Sequence, residues 1–226
     1  MLKASDSRGN WGLKGPVSSL ILLYFLLHFA AFSIPGLPDL SFVAYGLVVL
    51  FLVVCKKAKW KQLGLHSDHW MQNLVLGGLA GGVVLASVPL MDWLIDVSGL
   101  GQSELFAGAE NRDLDGSGEV KSFPIYLGLT VTMVLAEQLF FTGYLIQSFL
   151  LKIKPALAIY LGGIIFTLVH NDFKLGLFLL GTLTATFYHF TRSLVPSLLF
   201  QLSCSISSWL LTYQHPRVFT LLGFLF

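Results

Sequence analysis

Apolar residues run through this chain in long blocks separated by short polar breaks. Seven blocks approach the roughly twenty residues needed to cross a hydrocarbon core: Val17–Ile34, Leu40–Cys55, Leu74–Ile95, Pro124–Leu151, Ala156–Val169, Leu175–Phe190 and Leu194–Tyr213. Several are short for a simple span, which points to sheltered helices or local thinning of the bilayer. An eighth stretch, Val218–Phe226, is too short to cross and is expected to pack on the bundle or lie at the interface. Breaks fall at Pro35, Pro38, Pro155 and Gly101-Gln102. No internal repeat and no long linker divides the chain. The predicted fold is therefore all-α: a polytopic membrane helix bundle of about seven (six to eight) transmembrane helices, in one domain over 1–226.

Composition supports a lipid solvent. Hydrophobic residues make up 55% and charged residues 12% of the 226 positions, with a mean hydropathy of +0.75. Soluble domains carry about a quarter charged residues. The net charge is +2 and no basic tract stands out, which argues against a nucleic-acid partner. Cys55 and Cys204 lie in apolar blocks and form neither a disulfide framework nor a CxxC site. The polar N-terminal stretch lacks a small-residue cleavage site, so no removable signal peptide is expected.

Positive charge orients the array. Lys3, Arg8 and Lys14 precede the first block, Lys56, Lys57, Lys59 and Lys61 follow the second, Lys152 and Lys154 the fourth, and Arg192 the sixth. With seven spans these share one side, which should be the cytoplasm. The N-terminus is then cytoplasmic and the C-terminus outside. The compact form fits a prokaryotic plasma membrane.

A polar loop over 99–122 contains DLDGSGEVKSFP, ending at Pro124. Asp113, Asp115 and Ser117 alternate before Gly118, like the opening of a calcium loop. The twelfth position, which should be a bidentate carboxylate, is Pro124. A polar turn is the simpler reading, with a weak external calcium site as the alternative.

The chemistry centres on AEQLFFTG, residues 136–143, where Glu137 sits near mid-depth among apolar neighbours. An ionisable residue there costs several kcal/mol and marks a functional site by default. A glutamate that merely fixes packing is the competing reading. His170 closes the fifth block in FTLVHND. A Glu and a His on consecutive helices can meet and activate a water for attack on a peptide carbonyl. On the seventh block Gln201 and Ser205 are four apart and share one helix face. Both can donate hydrogen bonds, although serines more often glue membrane helices together. His189, beside Arg192, reads as interfacial, and Asp92 and Asp96 read as facing water. No HExxH occurs and only two ligands stand out, so no metal and no other cofactor is expected. There is no GxSxG for a serine nucleophile.

AEQLFFTGYLIQSFL, FTLVH and SLVPSLLFQLSCS, in that order and spacing, resemble the CPBP intramembrane proteases, the CAAX-processing and Abi group. The resemblance covers about residues 124–210, with a weaker echo in WKQLGLH at 60–66. The family pattern is EExxxRG, then FxxxH, then HxxxN. Glu137 falls on the first glutamate, and Phe166 and His170 on the second motif. Gln138 replaces the second glutamate and Thr142 the arginine. Gln201 and Ser205 replace the His and Asn thought to hold the oxyanion. The resemblance implies an intramembrane glutamic endopeptidase in which Glu137 and His170 activate water, acting on a membrane-associated peptide or protein. The replacements leave open a catalytically inactive relative that serves as a binding, immunity or assembly factor. A transporter ranks last, since no duplicated halves are visible.

Overall fold

The computed structural model describes residues 18–19, 21–22, 41–54, 63–65, 69–100, 123–170 and 174–223. Every regular element among them is helical. α1 is Ser41–Val54, α2 Trp70–Val97, and α3 begins at Phe123–Gln138, passes through a π-helical stretch Leu139–Ile146 and ends with Gln147–Leu150. α4 is Pro155–Val169, α5 Leu175–Thr191, α6 Val195–Tyr213 and α7 Pro216–Gly223.

Helices α2, α3 and α6 are long and apolar enough to cross a membrane, while α4 and α5 are shorter apolar helices. Six of the seven predicted blocks coincide with α1 to α6. Most of the first block lies outside the described residues. So do Cys55 and the loop containing Asp113, Asp115 and Ser117. The chain is a helical membrane bundle, as the pattern predicted.

Local chemistry sets the helix boundaries. Pro155 opens α4 at its first turn, where its missing N–H costs nothing. Pro196 does the same for α6. Arg192 ends α5 in the left-handed conformation, with φ 55°. The outward face of α2 is apolar: Val75, Leu79, Val83, Leu90 and Val97 are exposed. That face suits lipid, since none of the described residues covers it.

The core is built around α3. Phe140, Phe141, Tyr144 and Leu145 are buried against Tyr45 and Val48 of α1, Phe166 of α4 and Ala185 and Tyr188 of α5. Two close approaches hold this core together. At the first, α4 crosses α5 where Gly163 meets Gly181; a Cβ on Gly181 would lie 2.6 Å from the Phe166 Cβ. At the second, the short segment 63–65 inserts beside the π-helical stretch. A Cβ on Gly143 would stand 2.7 Å from the Leu63 carbonyl oxygen, and Gly64 adopts φ 85°. The Gly64 carbonyl accepts a hydrogen bond from the Leu194 N–H at 3.3 Å. Leu63 and Gly64, within the WKQLGLH stretch, thus lock α3 to the α5–α6 turn.

The tail stretch forms α7 and packs on the bundle, with Val218 fully buried. Asp92 and Asp96 read as facing water, and Asp96, 57% exposed, does so, while Asp92 is 19% exposed. Both also anchor this tail: His215 Nδ1 lies 2.8 Å from Asp92 Oδ2, and Arg217 Nη1 donates to Asp96 Oδ1 at 2.9 Å.

Candidate active site

Three helices converge on Glu137. It is the penultimate residue of the regular part of α3, and it is 1% exposed. The π-helical stretch starts two residues later and buries all eight of its residues. Wide π turns occur often at functional sites, where they re-aim neighbouring side chains.

His170 arrives from the end of α4. Its backbone N–H donates to the Phe166 carbonyl at 3.3 Å, and its Nδ1 lies 2.8 Å from the same oxygen. A carbonyl only accepts, so Nδ1 carries a proton and Nε2 is turned the other way. The ring stacks on Phe166, centroids 4.5 Å apart. These contacts aim Nε2 at Glu137, whose Oε1 is 3.0 Å away. That approach is electrostatic rather than an aligned hydrogen bond, because Oε1 has no hydrogen-bond partner among the described residues. The His170 side chain is 24% exposed against 2% for Glu137, so the histidine is the side of the pair that faces outward.

Gln201 arrives from α6. Its Nε2 donates to Glu137 Oε2 at 2.5 Å. Its Oε1 accepts from Gln138 Nε2, and Gln138 Oε1 in turn accepts from the Thr142 hydroxyl at 2.5 Å. Thr142, Gln138, Gln201 and Glu137 therefore form one continuous buried chain, each at most 4% exposed. Four of the motif positions read from the sequence, Glu137, Gln138, Thr142 and Gln201, come together with His170 and Phe166 in a single cluster.

Ser205 stands apart. Its hydroxyl donates to the Gln201 carbonyl at 3.1 Å, and its own carbonyl accepts from Tyr126 at 3.0 Å. It is thus engaged along α6 and to α3, not with the Glu137–His170 pair. Cys204 is a half-buried free thiol. His189 is half-buried against Phe190 and does not join the cluster. No group of three or more metal-ligating side chains occurs among the described residues.

Tyr45 is a neighbour that sequence reasoning missed. It is 2% exposed and packs on Phe140 and Phe141 at 6.1 and 5.8 Å. A tyrosine in an apolar block carries no distinguishing signal. A groove of about 410 Å³ opens between α4 and α5, lined by Ile164, Thr167, Lys174, Leu175 and Phe178. It adjoins the last turns of α4 without reaching Glu137.

The bundle of apolar helices thus buries a glutamate against a histidine that is partly open to the outside. Residues 119–207 match the family model described as Rce1-like, Type II CAAX prenyl endopeptidase Rce1-like. Over this region the chain is similar to that protease family, and the match spans every clustered residue named above. No curated protein and no solved structure gives a significant match.

Proposed function

We propose that this protein is an intramembrane endopeptidase of the glutamic type, in which Glu137 and His170 activate water against a peptide bond of a membrane-associated substrate. One observation carries the reading: Glu137 Oε1 lies 3.0 Å from His170 Nε2 at a buried position, with no hydrogen bond of its own among the described residues. Oε1 is then the atom left to accept a proton, while Gln201 holds Oε2.

The steps balance without a metal. A water beside Oε1 and Nε2 gives its proton to the pair as its oxygen bonds to the carbonyl carbon. The carbonyl becomes an oxyanion. Collapse breaks the C–N bond, and the proton passes to the leaving amine. General acid–base help of this kind contributes about 10²- to 10⁴-fold. The second amide hydrogen of Gln201 is one oxyanion donor. The Ser205 hydroxyl becomes the other after a rotation that gives up its bond to the Gln201 carbonyl. The bilayer confines the reaction to substrates held at the membrane by an apolar or lipidated segment.

A second reading has its own support. Gln201 is bonded at both ends of its amide, and the Ser205 hydroxyl is turned to the backbone. That arrangement also suits an inactive relative that binds a partner. Cleavage of a membrane-anchored peptide by purified protein in vesicles separates the two. The protease reading requires that Glu137→Gln fold and lose turnover. A cellular phenotype that survives Glu137→Gln but not disruption of the bundle establishes the binding role instead.

A further inference from the structure

We propose that Thr142 is a positioning residue whose hydroxyl anchors the far end of a two-amide hydrogen-bond chain and so steadies the Glu137 carboxylate from a distance. The inference rests on the reading of Glu137 as the base.

A glutamine side chain has one end that only accepts and one that only donates. Two amides in series can therefore point in either of two self-consistent directions. The Glu137 carboxylate, which only accepts, selects the direction that delivers an N–H to it, and the Thr142 hydroxyl closes that chain at its other end. Here Thr142 donates to Gln138 Oε1, which leaves Gln138 Nε2 facing Gln201. Only Gln201 Oε1 can receive it. Gln201 Nε2 is then delivered to Glu137 Oε2. In the reversed chain Gln201 Oε1 would meet Glu137 Oε2, two acceptors face to face. A buried mismatch of that kind forfeits a charge-assisted hydrogen bond.

The behaviour of the other threonines makes this one informative. Thr132, Thr167, Thr182, Thr186 and Thr191 each donate to the backbone carbonyl four residues back. That is the ordinary bond for a helical threonine. Thr142 gives its hydroxyl to the side chain of the residue four back instead. Thr142 thereby satisfies the buried Gln138 Oε1, the last acceptor of the chain.

The chain acts on Glu137 by holding Oε2, so that Oε1 is the oxygen presented to His170. Without the hydroxyl, the buried Gln138 Oε1 loses this donor, the two amides are held less firmly, and the hold on Glu137 Oε2 weakens.

The test uses the full-length protein in phosphatidylcholine vesicles. Infrared spectroscopy gives the Glu137 carboxylate stretch, assigned as the band that Glu137→Gln removes. Thr142→Val keeps the shape and removes the hydroxyl; Thr142→Ser keeps the hydroxyl. We expect the band to shift in the valine variant and to stay in place in the serine variant. In a cleavage assay we expect the valine variant to lose about ten- to a hundredfold in kcat, the equivalent of one hydrogen bond to a charged group. KM should hold, and the serine variant should turn over like the wild type. Gln138→Met must reproduce the band shift, and it carries the test if Thr142→Val does not fold. An unmoved band in a folded Thr142→Val or Gln138→Met variant overturns the proposal, as does an equal kcat loss in the serine variant. If the wild type cleaves nothing, the protease reading fails, while the infrared result still decides the role of Thr142.

Discussion

Gln201 on α6 holds Glu137 on α3 through a 2.5 Å hydrogen bond from Nε2 to Oε2. The two residues are 64 positions apart in sequence. A hydrogen bond to a charged group contributes roughly 1.5–3 kcal/mol, and leaving a buried carboxylate without it costs at least as much. Gln201→Leu should therefore lower both the melting temperature and the turnover, the latter by about ten- to a hundredfold. Calorimetry and a cleavage assay on the same preparation check this. An unchanged melting temperature would show that the bond does not hold the helices.

His170 stacks on Phe166 while it faces Glu137. His170→Phe keeps an aromatic ring on Phe166 and removes both nitrogens. Its turnover should fall by about 10²- to 10⁴-fold while its melting temperature stays close to wild type. A variant that cleaves at more than a tenth of the normal rate would remove His170 from the reaction.

Gly181 has no space for a methyl group, because its Cβ would sit 2.6 Å from that of Phe166. Gly181→Ala must push α5 off α4. Overpacking of this kind costs about 1–3 kcal/mol. The same push moves the Phe166 carbonyl that aims His170, so stability and turnover should fall together. Thermal unfolding in detergent, read beside kcat, tests the coupling.

Arg217 bridges Asp96 at 2.9 Å, yet Asp96 is 57% exposed. Exposed ion pairs contribute about 0.2–1 kcal/mol and weaken with salt. Arg217→Ala should lower the melting temperature only slightly, and the difference should shrink in high salt. A large loss that survives high salt would mean that α7 is held chiefly by Arg217, not by the buried Val218.

Sequence pattern made the helices legible because a lipid solvent demands long apolar blocks with polar breaks. Glu137 and His170 were legible because ionisable groups are rare at such depth. Gln201 was harder. An amide donor serves a carboxylate as well as it would an oxyanion, and only the placement of α3 beside α6 distinguishes the two. Ser205 was ambiguous for a different reason. A helical serine always has a backbone carbonyl one turn back to satisfy it, and here it uses that carbonyl. The insertion of Leu63–Gly64 beside Gly143 left no periodic signal, since it depends on one left-handed glycine and one missing Cβ. The ties from His215 and Arg217 to Asp92 and Asp96 span more than 120 positions, beyond the reach of helical spacing.

The neutrality of the Thr142–Gln138–Gln201 chain bears on how the protein is made. α3 carries one acidic or basic side chain, Glu137, and an 18-residue window within Pro124–Leu150 has a mean hydropathy of 1.5. A Glu-Glu-Arg version of the same helix would bring three such groups to the translocon, each opposing entry by up to about 3 kcal/mol at mid-depth. With Gln138 and Thr142 in those places, α3 can partition into lipid on its own hydrophobicity. His170 and Gln201, which are synthesised later, then meet a glutamate already in the membrane.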